Sequence, residues 1–188
     1  MKKKVIIILI SLLAVTRVSA QQKYYGDGID DYLRFVPLAT SVALKAAGVE
    51  SASSWKRYTV NTAISATMAL GAAYVLKKKI KDTRPDGTDR EAFPSGHTTL
   101  AFLGAAVLDK EFRHVSPWIS VAGYATATAV AIDRVARNRH HWHDVAAGAA
   151  IGLGGTWLGY LVGDKITGER SRWHVATAGT ELVVQVDL

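Results

Sequence analysis

The 188-residue chain is long enough for one core and too short for two comfortable ones. Hydrophobic residues make up 49% of it and mean hydropathy is +0.11, apolar for a soluble protein and mild for a polytopic membrane protein. The chain has 0 cysteines, which excludes disulfide frameworks, thiolate metal sites and cysteine nucleophiles.

The first twenty residues read as a secretory signal. Lys2, Lys3 and Lys4 give a basic start, Val5 to Val15 an uncharged apolar run, and Val18-Ser19-Ala20 the small residues of a cleavage site. An uncleaved anchor fits the same pattern, and on either reading the chain is exported. Lys2, Lys3, Lys4 and Arg17 belong to this stretch; without them 19 basic residues face 16 acidic ones, so the net charge falls from +7 to +3. The high isoelectric point is therefore partly a targeting feature, and no nucleic-acid partner is expected. Residues 21–188 read as one domain, with the motif core at about 58–163 and a short tail, 173–188, of unassigned role.

Next comes a weak apolar segment, Leu33–Gly48, which carries Arg34 and Lys45. Four longer stretches follow without Asp, Glu, Lys or Arg: Tyr58–Leu76, Ala92–Leu108, His114–Ile132 and Val145–Gly163. Each suits a membrane span or a fully buried helix, and their Ala, Gly and Thr content permits close helix–helix contact. A strand pattern occurs only in the β-branched, partly alternating Glu181–Leu188. The expectation is an all-α, up-and-down helical bundle, polytopic in a membrane, with its site at one end.

Chemistry gathers between these segments. Lys77-Lys78-Lys79-Ile80-Lys81-Asp82-Thr83-Arg84-Pro85 follows the first long stretch, and Phe93-Pro94-Ser95-Gly96-His97 opens the second. Arg134 to Asp144, containing His140, His141, Trp142 and His143, joins the last two. In an up-and-down bundle all three clusters fall on the same side. Lys77, Arg84 and Arg134 supply positive charge, and an arginine holds two phosphoryl oxygens at once. Ser95 and Gly96 stand where a helix begins, so backbone N–H groups face an anion. His140 and Asp144, four residues apart, share a face if the helix begins near Arg139. A carboxylate on one ring nitrogen leaves the other to attack phosphorus, with His97 as general acid.

The pattern Lys-x6-Arg-Pro, Pro-Ser-Gly-His, Arg-x5-His-x3-Asp resembles the type 2 phosphatidic acid phosphatase superfamily, which includes class A acid phosphatases and vanadium-dependent haloperoxidases. The resemblance implies phosphate binding by Lys77, Arg84, Ser95, Gly96 and Arg134. It also implies His97 as acid, His140 as nucleophile and Asp144 as its partner. One departure is Asp133, where the family often has Ser before the arginine; a carboxylate there lowers anion affinity unless it points away.

The expected activity is a metal-independent phosphatase acting through a phosphohistidine on a membrane lipid: phosphatidic acid, phosphatidylglycerol phosphate, undecaprenyl pyrophosphate or lipid A. A soluble periplasmic acid phosphatase is the alternative, followed by a vanadate-dependent haloperoxidase and an inactive phospholipid-binding module. The expected location is the inner membrane of a bacterial-type envelope with a periplasm-facing site. That orientation holds if Leu33–Gly48 crosses and inverts if it does not. No cofactor and no metal are expected. The His-His-Trp-His-Asp run resembles a zinc-binding set, but Arg134, Arg137 and Arg139 beside it would repel a cation. His141 and His143 read as polar neighbours, and Trp142 as a packing or interfacial residue.

Overall fold

The computed structural model describes residues 28–169, together with the backbone of two strands at 173–178 and 181–186. The expected signal, 1–20, lies outside the described residues. Among the described residues six helices follow one another: α1 Ile29–Leu33, α2 Val36–Ala46, α3 Trp55–Lys79, α4 Gly96–Phe112, α5 Pro117–Ala136 and α6 Trp142–Thr167. The four uncharged stretches become α3 to α6, so the helical bundle is as expected. The tail adds an antiparallel hairpin to it, β1 Trp173–Ala178 and β2 Glu181–Val186, with Trp173 opposite Val186. The alternation in Glu181–Leu188 thus marks a strand.

Local signals set the helix ends. Ser54 caps α3 by accepting a hydrogen bond from Arg57 N–H, and Pro117 stands in the first turn of α5. At the end of α5, Asn138 takes a left-handed conformation with φ 56°. Arg139 N–H then donates to Arg134 C=O at 3.0 Å and Asn138 N–H to Val135 C=O at 2.9 Å, the paired closure of a Schellman motif.

Helix α4 is the centre. Ala101, Leu103, Ala105, Val107 and Phe112 are fully buried, as expected of a helix apolar on all sides and packed against α2, α3, α5 and α6. Close approach comes from small residues on α6. A Cβ on Gly152 would stand 2.5 Å from Thr99 O of α4, and one on Gly159 would stand 2.5 Å from Ser65 Cα of α3. One helix thereby seats two neighbours on adjacent faces.

The expected segment Leu33–Gly48 contains one short helix, α2, preceded by the last residue of α1 and a turn. α2 has 11 residues, about 16 Å at 1.5 Å per residue, and alone cannot cross a hydrocarbon layer of about 30 Å. It nevertheless runs alongside α4 in the same direction. Arg34 meets His97, Leu38 lies against Gly104, and Leu44 packs with Leu108 and Phe112. The described chain therefore enters at the end where α4 begins and reaches the far end by Lys45.

At that far end a buried polar network ties the helices together. Arg57 donates to both carboxylate oxygens of Asp164, at 2.8 and 3.0 Å, and Asn61 donates to Asp164 at 2.7 Å. Glu111 accepts from Ser53 at 2.6 Å and from Tyr160 at 2.7 Å. The outer surface, in contrast, is apolar. Leu70, Val75, Val121, Leu153, Trp157 and Leu161 are exposed along α3, α5 and α6. Exposed Trp55 and Trp118 stand at the far end, and Tyr74 and Trp142 stand toward the other. Helices α3 and α6 are long and apolar enough to cross a membrane.

Candidate active site

The site is built where α3 ends and α4 and α6 begin. Ser95 caps α4: its hydroxyl oxygen accepts from Thr98 N–H, and its own N–H donates to Asp144 C=O at 3.0 Å. That bond joins the second motif to the third. Gly148, one turn after Asp144 in α6, keeps the contact close, since a Cβ there would stand 2.6 Å from Ser95 O.

The helix expected to start near Arg139 starts instead at Trp142, with His141 as its cap. His140 therefore lies in the loop before α6, carried there by the Schellman turn, and does not share a helix face with Asp144. Asp144 is the third residue of α6, and its Oδ2 accepts from His141 N–H at 2.8 Å, fastening the helix start. The same Oδ2 stands 3.5 Å from His140 Nδ1, longer than a hydrogen bond. On the opposite edge of the ring, Arg84 Nη1 lies 3.4 Å from His140 Nε2. One ring nitrogen thus faces a carboxylate and the other faces a cation.

His140 is only 2% exposed. Burial, reinforced by Arg134, Arg84 and Lys77, pushes its pKa down to about 2, so the imidazole is neutral. The clustered cations are themselves braced. Arg84 Nε donates to both oxygens of Asp89 at 2.8 Å, and its Nη1 to Arg139 C=O at 3.0 Å. Lys77 Nζ donates to Glu91 C=O at 2.5 Å. The fold thus brings Lys77, Arg84, Ser95, Gly96, Arg134, His140 and Asp144 to one end, with His97 at the start of α4.

Sequence reasoning missed α1. Asp30, fully buried, accepts from Arg134 and from Arg137, each at 2.6 Å. Burial opposes the charge on Asp30, but the Arg134 guanidinium outweighs it and holds the carboxyl below its ordinary pKa. Asp31 Oδ1 stands 2.6 Å from His97 Nε2, and Arg34 Nη1 stands 2.8 Å from the same nitrogen. For Asp31 too, burial is outweighed, here by the His97 hydrogen bond and the Gly28 N–H, and its carboxyl is held low. The only signal was two adjacent carboxylates after Gly28 in a basic chain. Asp133, the departure from the family pattern, reaches Arg137 at 3.8 Å and lies against Asp30, not His140.

The family model described as the PAP2 superfamily matches residues 56–167, more than half of the chain. The chain belongs to the PAP2 superfamily. It is 37% identical over 139 residues to lipid A 1-phosphatase of Porphyromonas gingivalis, covering 73% of this chain and 31% of that protein. It is 33% identical over 90 residues to lipid phosphate phosphatase 2 of Arabidopsis thaliana, covering 42% of this chain and 30% of that protein. The chain thus spans less than a third of the curated relatives it matches. No solved structure matches it. The PAP2 match runs from the second residue of α3 to the last of α6. It therefore omits α1, α2 and the turn between them, whose Asp30, Asp31 and Arg34 contact PAP2-motif residues.

Proposed function

We propose that this PAP2 protein is a membrane-embedded phosphatase that removes phosphate from a lipid through a phosphohistidine at His140. One observation carries the reading: a buried His140 with Asp144 beside Nδ1 and Arg84 beside Nε2. Arg84, Lys77, Arg134, the Ser95 hydroxyl and the Gly96 N–H hold the equatorial oxygens of the phosphoryl group. The Nε2 lone pair forms a bond to phosphorus as the bond to the lipid oxygen breaks. His97 gives that oxygen its proton. In the second half, His97 takes a proton from water, the water oxygen bonds to phosphorus, and the P–N bond breaks to release phosphate and neutral His140.

The exposed apolar faces of α3, α5 and α6, with aromatic residues toward both ends, favour a membrane setting. The similarity to proteins named lipid A 1-phosphatase and lipid phosphate phosphatase favours a lipid substrate. Gly28 lies beside the site-end cluster, bonded to Asp31. If residues 1–20 direct export, the site therefore faces the periplasm.

The test is phosphate release by detergent-purified protein in EDTA. The panel comprises p-nitrophenyl phosphate, phosphatidic acid, phosphatidylglycerol phosphate, undecaprenyl pyrophosphate and lipid A. Release from lipids, lost in His140→Ala, is expected, with acid-labile label trapped on the wild-type protein. Preference for the small ester would replace the lipid reading, and no release from any substrate would overturn the catalytic one.

A further inference from the structure

Beside His140 lies a second cluster, three of whose four members, Asp82, His141 and His143, phosphate chemistry does not use. We propose that Asp82, His141, His143 and Asp144 bind one divalent ion of the zinc class, and that its binding slows turnover. One donor atom from each residue lies within 4.8 Å of every other. His143 Nε2 stands 2.9 Å from Asp82 Oδ2 and 3.2 Å from Asp144 Oδ1, and His141 Nδ1 stands 3.5 Å from Asp144 Oδ2. Tetrahedral zinc with bonds of about 2.0–2.1 Å sets its ligand atoms about 3.3 Å apart. The His143 contacts to Asp82 and to Asp144 Oδ1, at 2.9 and 3.2 Å, are close to that value, and the full set, within 4.8 Å, reaches it by small side-chain rotations.

The donor chemistry fits as well. Two imidazoles and two carboxylates balance a +2 ion, and this set suits zinc better than calcium or magnesium, which favour oxygen throughout. An independent observation points into the cluster. Asp144 is fully buried, yet its Oδ1 makes no hydrogen bond, and neither does the buried Nδ1 of His141. Asp144 Oδ1 has only the ring nitrogen of His143 near it, at 3.2 Å; leaving buried polar atoms without a hydrogen bond is costly, and a metal ion supplies a ligand bond to both. The outer side of the cluster gives an ion access, since the His143 side chain is 61% exposed. The rings of His141 and His143 are already stacked, 5.1 Å apart with 10° between planes.

The repulsion expected from neighbouring arginines is redirected by the fold. Arg134 and Arg137 are bound to Asp30, Arg139 to Asp86 and Arg84 to Asp89. The other grouping of this kind, Asp30, Asp31 and His97, is excluded on the same reasoning, because Arg34, Arg134 and Arg137 already occupy it. Asp144 belongs to both the zinc cluster and the His140 pair. An ion drawing on that carboxylate reduces the negative charge that faces His140 Nδ1 at 3.5 Å, hence the slower turnover; this clause rests on the phosphatase reading, whereas binding does not.

The experiment uses the full chain in detergent, stripped with EDTA and exchanged into chelator-free buffer. Calorimetry with zinc chloride should find one equivalent, and cobalt(II) should give the visible absorption of a tetrahedral site. His143→Ala and Asp82→Asn should each weaken zinc binding by more than about 100-fold, beyond the cost of losing an outer-shell partner. No binding, or binding unchanged in both variants, would overturn the site. Saturating zinc should slow wild-type phosphate release by about 10-fold or more, in line with disturbing a partner of the nucleophile. The His143→Ala protein should keep its metal-free rate and resist zinc. Equal inhibition of both proteins, or binding without inhibition, would overturn the coupling. Were no substrate turned over at all, calorimetry and cobalt absorption would still decide the site.

Discussion

The two ends of the bundle both bury charge, but they balance it differently. At the far end, opposite charges and polar groups meet directly across helices: Arg57 with Asp164, and Glu111 with Ser53 and Tyr160. At the site end, Lys77, Arg84 and Arg134 converge on an imidazole that burial, and then their charge, disfavours protonating, while Asp30 and Asp89 brace two of them from behind. A closed network holds helices in place; a convergent surplus of positive charge serves an anion that arrives from outside. The comparison therefore separates residues whose loss should cost stability from those whose loss should cost turnover.

The largest effect should come from His140→Ala. Removing the nucleophile is expected to lower phosphate release by at least about 10³-fold, the scale seen when a covalent catalyst loses its nucleophile. The circular dichroism spectrum and elution volume in detergent should not change. Retained activity would remove the central role assigned to His140.

Asp30→Asn should come next. The change keeps shape but removes the charge that two arginines share. Arg134 then has less reason to hold its position, and kcat/KM should fall by about 10- to 100-fold, as for other supporting residues of a preorganised site. A phosphate-analogue titration would check whether the loss is in binding. An unchanged kcat/KM would make Asp30 a structural residue like those of the far end.

Arg57→Ala tests the other end. Its side chain is 4% exposed and that of Asp164 26%, so breaking the pair should cost about 2–4 kcal/mol, at or below the range for fully buried pairs. Thermal unfolding in detergent measures this. The rate per folded molecule should stay within about 3-fold, because a distant ion pair adds little to the field at the site. A large fall in kcat would mean that the two ends are coupled through α3 and α6.

How much of this was legible in the sequence differs by residue. The uncharged stretches located α3 to α6, because long runs without charge have few other uses. Segment order then put Lys77, Ser95 and His140 at one end. The pairing of Asp30 with Arg134 was illegible, since contacts 104 residues apart leave no periodic trace. The start of α6 was misplaced because Asn138 ends α5 in a left-handed turn, and His140 follows in the loop. Asp144 was read for its distance from His140, whereas the structure also uses it to fasten the helix start.

The smallest effect should be that of Asp133→Ser, which restores the residue often found in the family. On a helix, adjacent positions point about 100° apart. Asp133 therefore need not face what Arg134 faces, and it lies toward Arg137 at 3.8 Å, one turn on. Its carboxylate also sits against Asp30, whose charge Arg134 and Arg137 already compensate. Little of its field should reach the phosphate, and kcat/KM should change by less than about 3-fold, near or below 0.7 kcal/mol. A tenfold gain would show that Asp133 opposes anion binding directly, and that the bracing carboxylates weaken the positive charge they position.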